Sequence, residues 1–235
     1  MYPRKSLQLR VSTTKYFEDQ ESALSMSYTK IHQRNIKAYN KMADCYDASF
    51  DGKFTRKFKD ALVRAVRLPE NSRVLDVACG NATLLAMLAE KEKIQGYGVD
   101  ISDQMIVQAQ GRHVEMEFHV ASCEKLPFAD ETMDIVTVCA SYHHFPDVNA
   151  FAAEAKRILR PRGHIYIAEI YLPAFVRKIA NFFMSLFQLG NVKFYSPEEI
   201  SVTFTKEGFT PEHNTIQGRI QILSFGAPTA AKVAL

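Results

Sequence analysis

VLDVACGNATLL, residues 74–85, decides the fold of this 235-residue chain. A β-branched apolar run carrying one acid, Asp76, breaks at the small-residue turn 78–82 and resumes as helix-forming residues from Ala82 to Glu90. Strand, turn and helix within a dozen residues make the opening unit of a βα repeat.

Working outward, RVLDVA, IQGYGVD, EMEFHVA, MDIVTVCA and GHIYIAEI are short, nearly continuous apolar runs. Strands buried on both faces have that composition. Helical segments are expected between them over Ala82–Glu90, Asp103–Gln110 and Val148–Leu159, the last stopped by Pro161 and Gly163. Alternation of this kind predicts an α/β, doubly wound, mostly parallel sheet with right-handed crossovers. SPEEISVTFTKEGF, residues 196–209, predicts a helix opened by Ser196 and Pro197. The strands Thr210–Thr215 and Arg219–Ser224, joined through Gln217 and Gly218, would close the chain as an antiparallel hairpin.

Composition narrows the function classes. Nearly half the residues are apolar (47%), and 29 basic against 26 acidic residues leave a formal charge of only +3. That balance describes a globular chain and makes no case for nucleic acid. Cys45, Cys79, Cys123 and Cys139 form no CxxC pair, so no metal is expected and a reducing, cytoplasmic setting is. No apolar run approaches the roughly 20 residues that span a bilayer. Residues 1–15 are basic and rich in Ser and Thr, a composition shared by transit peptides and solvated tails, and 1–35 is taken as a tail or arm.

In a doubly wound sheet the ligand site lies beyond the carboxyl ends of the strands, which puts the turn 78–82 at the default position. A dinucleotide would need GxGxxG to bring amides onto a pyrophosphate, and this turn has the single glycine Gly80. Asp76 would repel a diphosphate and favour a ligand bearing an ammonium or sulfonium; alternatively it caps the turn. Asp100 ends the second strand where a carboxylate accepts from a ribose diol, or else caps the helix near Asp103.

With VLDVACGNATLL, GYGVDIS, ASCEKLPFADETMDIVTVCASYHHFPD and ILRPRGHIYIAE in that order, and AYNKMADCYDASFDGKF upstream, the chain resembles the class I S-adenosylmethionine-dependent methyltransferases over residues 36–224. Within them it is similar to the ubiquinone and menaquinone biosynthesis group. The resemblance implies a seven-stranded Rossmann-like methyltransferase fold over residues 36–235, S-adenosylmethionine as cofactor and a small, partly apolar methyl acceptor. It places Asp76, Ala78, Cys79 and Gly80 around the methionine part and Asp100 on the ribose. Ile101 and Met105 would flank the adenine, Ser122 and Cys123 meet its edge, and Cys139 line the same pocket. Tyr46, or its neighbour Tyr39, would reach the methionine carboxylate.

Ala78 and Ala82 stand where the family commonly has glycine, and alanine there calls for φ below zero. His143 and His144, in YHHF, are candidate general bases, at most one of them facing the substrate, with His143 preferred. A cap insert at about 172–195 brings Phe175, Val176, Ile179, Phe182, Phe183, Leu186 and Phe187 to one helical face. That face would line a lid, pack in the core or a homodimer, or lie on a membrane. A non-catalytic binder of the same cofactor is the alternative, and an NAD-dependent oxidoreductase the third reading.

Overall fold

The computed structural model describes residues 33, 36–37, 39–186 and 192–229, with the side chains of 44 and 45 left aside. The proposed arm 1–35, apart from residue 33, Phe187 and the thiol of Cys45 therefore lie outside the described residues.

Seven strands, β1 (Ser72–Val77), β2 (Ile94–Asp100), β3 (Glu117–Val120), β4 (Met133–Cys139), β5 (Leu159–Ile170), β6 (Thr210–Gln217) and β7 (Ile220–Gly226), form one sheet in the order β3-β2-β1-β4-β5-β7-β6. β1 pairs in parallel with β2 and β4, β2 with β3, and β4 with β5. β7 is antiparallel to both its neighbours, so the expected C-terminal hairpin inserts its second strand beside β5. The strand order reverses at β1 and β4, and the crevice between their carboxyl ends is the topological switch point.

Helices α1 (Phe50–Ala65), α2 (Thr83–Lys91), α3 (Asp103–Arg112), α4 (Val148–Ile158), α5 (Ala174–Leu186) and α6 (Pro197–Lys206) connect the strands. Most begin at side-chain caps that satisfy otherwise orphaned amides. Ser49, Ser102 and Asp147 cap α1, α3 and α4, and Ser196 with Glu199 forms a capping box on α6. Strand alternation divides the core between the two sheet faces. Leu75 joins Phe151, Ile158 and Phe204 from α4 and α6 on one face; Val74 joins Phe58, Leu85 and Ile106 from α1, α2 and α3 on the other.

Two expectations are corrected. α4 stops at Ile158, and β5 begins at once with Leu159, ahead of Pro161. Leu159 pairs with Met133 and the next partners are His164 and Ile135, so residues 160–163 bulge out of the ladder, with Arg162 at φ 69°. An irregular strand can carry a proline that a regular central one cannot. The second correction concerns α5: none of its residues is buried, which excludes a core helix in the chain as described. No helix among the described residues is long and apolar enough to cross a membrane.

Candidate active site

The turn after β1 is tighter than alanine was expected to permit. Ala78, Gly80 and Ala82 all lie in the left-handed region, at φ 60°, 54° and 64°. The chain must reverse from strand to helix within five residues, and the surrounding bonds impose this path. Cys79 N donates to Val99 O (3.0 Å), Ala82 N to Cys79 O (3.0 Å) and Gly80 N to the Asp100 carboxylate (2.8 Å). Each alanine so placed costs on the order of 1–2 kcal/mol. Gly98 on β2 makes room for the turn, since a Cβ there would stand 2.8 Å from Cys79 Sγ.

Beyond this turn lies a cavity of about 300 Å³. Ala78 and Gly80 from the turn line it, with Asp100, Ile101 and Met105 from the end of β2 and the start of α3. Ser122 and Cys123 follow β3, and His143 and His144 follow β4. Tyr39 and Tyr46 close the N-terminal side, together with Phe50, Phe54 and Thr55 of α1, which nothing in the sequence pattern singled out. Hydrogen bonds hold that side in place: Ser102 Oγ donates to Asn40 Oδ1 (2.6 Å), Asn40 Nδ2 to Asp103 (2.7 Å), and Arg112 to Asp47 (2.8 Å).

Asp76, Cys79 and Cys139 are not among the lining residues. Asp76 accepts from the Thr137 hydroxyl on β4 (2.8 Å), inside the sheet, and burial pushes its carboxyl up to about 7 against the pull of Thr137 and the Lys59 ammonium. It does not cap the turn. Cys79 is buried and Cys139 half-buried, and burial raises both thiols well above the usual range. Cys123 does reach the wall, its thiol raised by burial to about 12.

Asp100 differs from Asp76 in having one edge on the cavity. Its Oδ2 accepts from Gly80 N (2.8 Å) and its Oδ1 from Ser102 N (2.9 Å), and its residue exposure is 9%. Burial raises its pKa while those N–H donors oppose the rise. Ser102, not Asp100, caps α3. Both oxygens are oriented by backbone amides and each retains a lone pair for a ligand hydroxyl.

Both histidines face the cavity, contrary to the expectation of one. Residues 142–144 form a single 3₁₀ turn that brings the two rings to a centroid separation of 4.1 Å. His143 meets Glu169 of β5 through Nδ1 (2.8 Å) and its backbone N–H (3.2 Å), and Phe194 stacks on its ring (5.7 Å between centroids). Tyr39 OH lies 3.3 Å from His144 Nε2. Burial, then the adjoining His143, push the His144 ring down to about 3. Glu169 was missed in the sequence, although it is 0% exposed and, like Asp76, stands one residue before the end of an apolar strand.

Residues 75–167 match the model of a methyltransferase domain. A ubiquinone/menaquinone biosynthesis C-methyltransferase of Rickettsia bellii is 33% identical over 146 residues, 56% of this chain and 58% of that protein. The chain thus spans under two thirds of the length of this relative. Among solved structures, a methyltransferase of Haloferax volcanii held in complex with the activator Trm112 superposes with a TM-score of 0.71 at 18% identity, covering 81% of this chain and 97% of that one. A methyltransferase structure from Bacillus halodurans gives 0.64 at 19%, covering 74% and 100%. At such identities these two establish the Rossmann-like fold.

Proposed function

We propose that this chain is a cytoplasmic S-adenosylmethionine-dependent methyltransferase acting on a small, partly apolar acceptor, with residues 36–235 as the catalytic domain. The methyltransferase-domain match supports the class, and one observation carries the cofactor: the Asp100 carboxylate on the cavity wall, each oxygen oriented by a backbone N–H. A diol is recognised by a carboxylate so fixed.

The residues present fit that cofactor. A cavity of about 300 Å³ lies at the lower end of the range for small-molecule sites. Asp100 would hold the ribose hydroxyls, Ile101 and Met105 the adenine faces, and Ser122 and the Cys123 backbone the adenine edge. The small residues Ala78 and Gly80 let the methionine part approach the backbone, and Tyr46 would meet its carboxylate. Asp76, buried one residue before the lining residue Val77, favours positive charge nearby through its field.

When bound, S-adenosylmethionine supplies an electrophilic methyl group on a sulfonium. The chain aligns the acceptor and excludes water, and no further machinery is obligatory for an in-line displacement. For an acceptor that must lose a proton, His143 provides the base. Calorimetry with S-adenosylmethionine tests the reading: saturable binding that Asp100→Ala weakens supports it, and binding indifferent to that change removes Asp100 from the site. Binding without turnover across an acceptor panel would favour the non-catalytic alternative.

A further inference from the structure

We propose that Glu169 and Tyr39 give the two adjoining imidazoles opposite duties, with His143 taking the acceptor's proton at Nε2 and His144 donating a hydrogen bond to the acceptor from Nδ1. The inference rests on the methyl-transfer reading and adds the acceptor's chemical class.

The carboxylate of Glu169 can only accept, so the 2.8 Å contact puts a hydrogen on His143 Nδ1 and leaves the lone pair on Nε2. Glu169 is itself fixed by the backbone N–H groups of His143 and Ile170. It is a positioning residue: it sets the tautomer and stabilises the imidazolium that forms. His144 is held the other way. We take the Tyr39 hydroxyl, 3.3 Å from Nε2, as the donor, which leaves the hydrogen of the neutral ring on Nδ1. That nitrogen is buried and has no hydrogen-bond partner among the described residues, on a ring that lines the cavity. Buried polar groups are almost always paired, so an orphaned nitrogen on a ring that lines the cavity points to a ligand oxygen.

The charged and titratable groups around the pair come from several elements. Glu169 on β5 lies against His143 and also acts on Tyr39, as do Tyr46, Asp51 and Asp100. The Lys193 ammonium is turned to Glu199 (3.4 Å) and the Tyr195 ring, although its backbone N–H binds His143 O. Burial keeps the Tyr39 phenol protonated and His144 uncharged.

Such a pair suits a hydroxyl, or a carbon acid beside an oxygen. The acceptor's O–H or C–H bond breaks and its proton goes to His143 Nε2. The freed pair forms the bond to the methyl carbon, and the sulfur–methyl pair returns to sulfur. His144 Nδ1–H meets the acceptor oxygen on which charge develops, a task a neutral imidazole can perform. An amine attacks through its own lone pair and needs neither group beforehand.

Nitrogen-15 NMR of the full chain, without ligand and near neutral pH, reads the tautomers directly. In the wild type both rings should carry hydrogen on Nδ1. Glu169→Gln should lose the fixed His143 tautomer, because an amide can donate to Nδ1 as well as accept from it. Tyr39→Phe should mix the His144 tautomers and leave His143 unchanged. Affinity for S-adenosylhomocysteine, by calorimetry, should stay within about twofold in Glu169→Gln. Hydrogen on Nε2 of either ring in the wild type overturns the proposal, and needs no variant to fold. An unmoved His143 in a Glu169→Gln protein that still binds S-adenosylhomocysteine overturns it too. Failure of the wild type to bind S-adenosylhomocysteine would instead sink the methyl-transfer reading.

Discussion

The crevice at the strand ends and helix α5 are built on opposite principles. In the crevice, polar groups sit among apolar walls: Asp100 ends its strand, Asp76 and Glu169 stand one residue before the ends of theirs, and all three strands also supply core residues. In α5 the side chains of Arg177 and Asn181 face the protein while the large apolar ones face away. Asn181 holds the backbone of Phe194 in both directions (2.9 Å each), and Arg177 reaches Leu172 O (3.2 Å) and Glu199 (3.6 Å). Phe175, Phe182 and Leu186 are meanwhile 76%, 63% and 59% exposed. Helical spacing identifies which residues share a face and leaves open which way that face turns. Around the crevice, by contrast, strands covered by helices on both sides leave little choice of direction.

The sharpest way to break this contrast is to remove one large side chain from each region. Phe151, fully buried between sheet and helices, should cost about 3–5 kcal/mol on replacement by alanine, read from urea unfolding. An effect below 1 kcal/mol there would mean that the core is not packed as described.

Asp76 sharpens it next, because a carboxyl raised to about 7 is a liability to the empty protein. Between the ordinary carboxylate value and 7 the native state binds more protons than the unfolded one. Stability should therefore fall as pH rises through that window, by up to about 4 kcal/mol for a group so shifted. Asp76→Asn should abolish the decline, raising the melting temperature at pH 8 but not at pH 4, while weakening S-adenosylmethionine binding. A pH–stability profile identical to that of the wild type would refute the buried, strained carboxylate.

His143→Ala should lower turnover about 100-fold while affinity for the cofactor stays within about threefold, a split that initial rates and calorimetry resolve. Equal losses in both would make the ring structural. Asp100→Ala should weaken cofactor binding by about 1–3 kcal/mol, the cost of leaving hydroxyl partners unpaired. The smallest effect belongs to α5, where Phe182→Ser should change unfolding free energy by less than about 0.5 kcal/mol. A larger loss, at any protein concentration, would show that this face is covered.

Much of the fold was legible because the signals were local and redundant. Five apolar runs, the helix start at Ser196 and Pro197 and the Gly218 turn each fixed an element without help from the rest. The start of β5 was not, since Pro161 and Gly163 normally end a strand and here occupy a bulge that only pairing with β4 reveals. Ala78 and Ala82 misled for a related reason. Their own preference is for negative φ, and bonds from β2 and Asp100 override it. In the site, the end of β2 was visible as an acid closing an apolar run. Glu169 gives the same signal near the end of GHIYIAEI, but its role depends on the His143 contact, which only the fold brings about. The orientation of His144 could not be read at all, as it follows from a 3₁₀ turn and from Tyr39, 105 positions away.

A crystal structure of the chain with S-adenosylhomocysteine bound tests the central claim most directly. The account predicts the ribose hydroxyls on the Asp100 carboxylate, the adenine between Ile101 and Met105, and the sulfur facing the space beside His143 and His144. Ligand bound elsewhere, or in this cavity with Asp100 touching no hydroxyl, would contradict it.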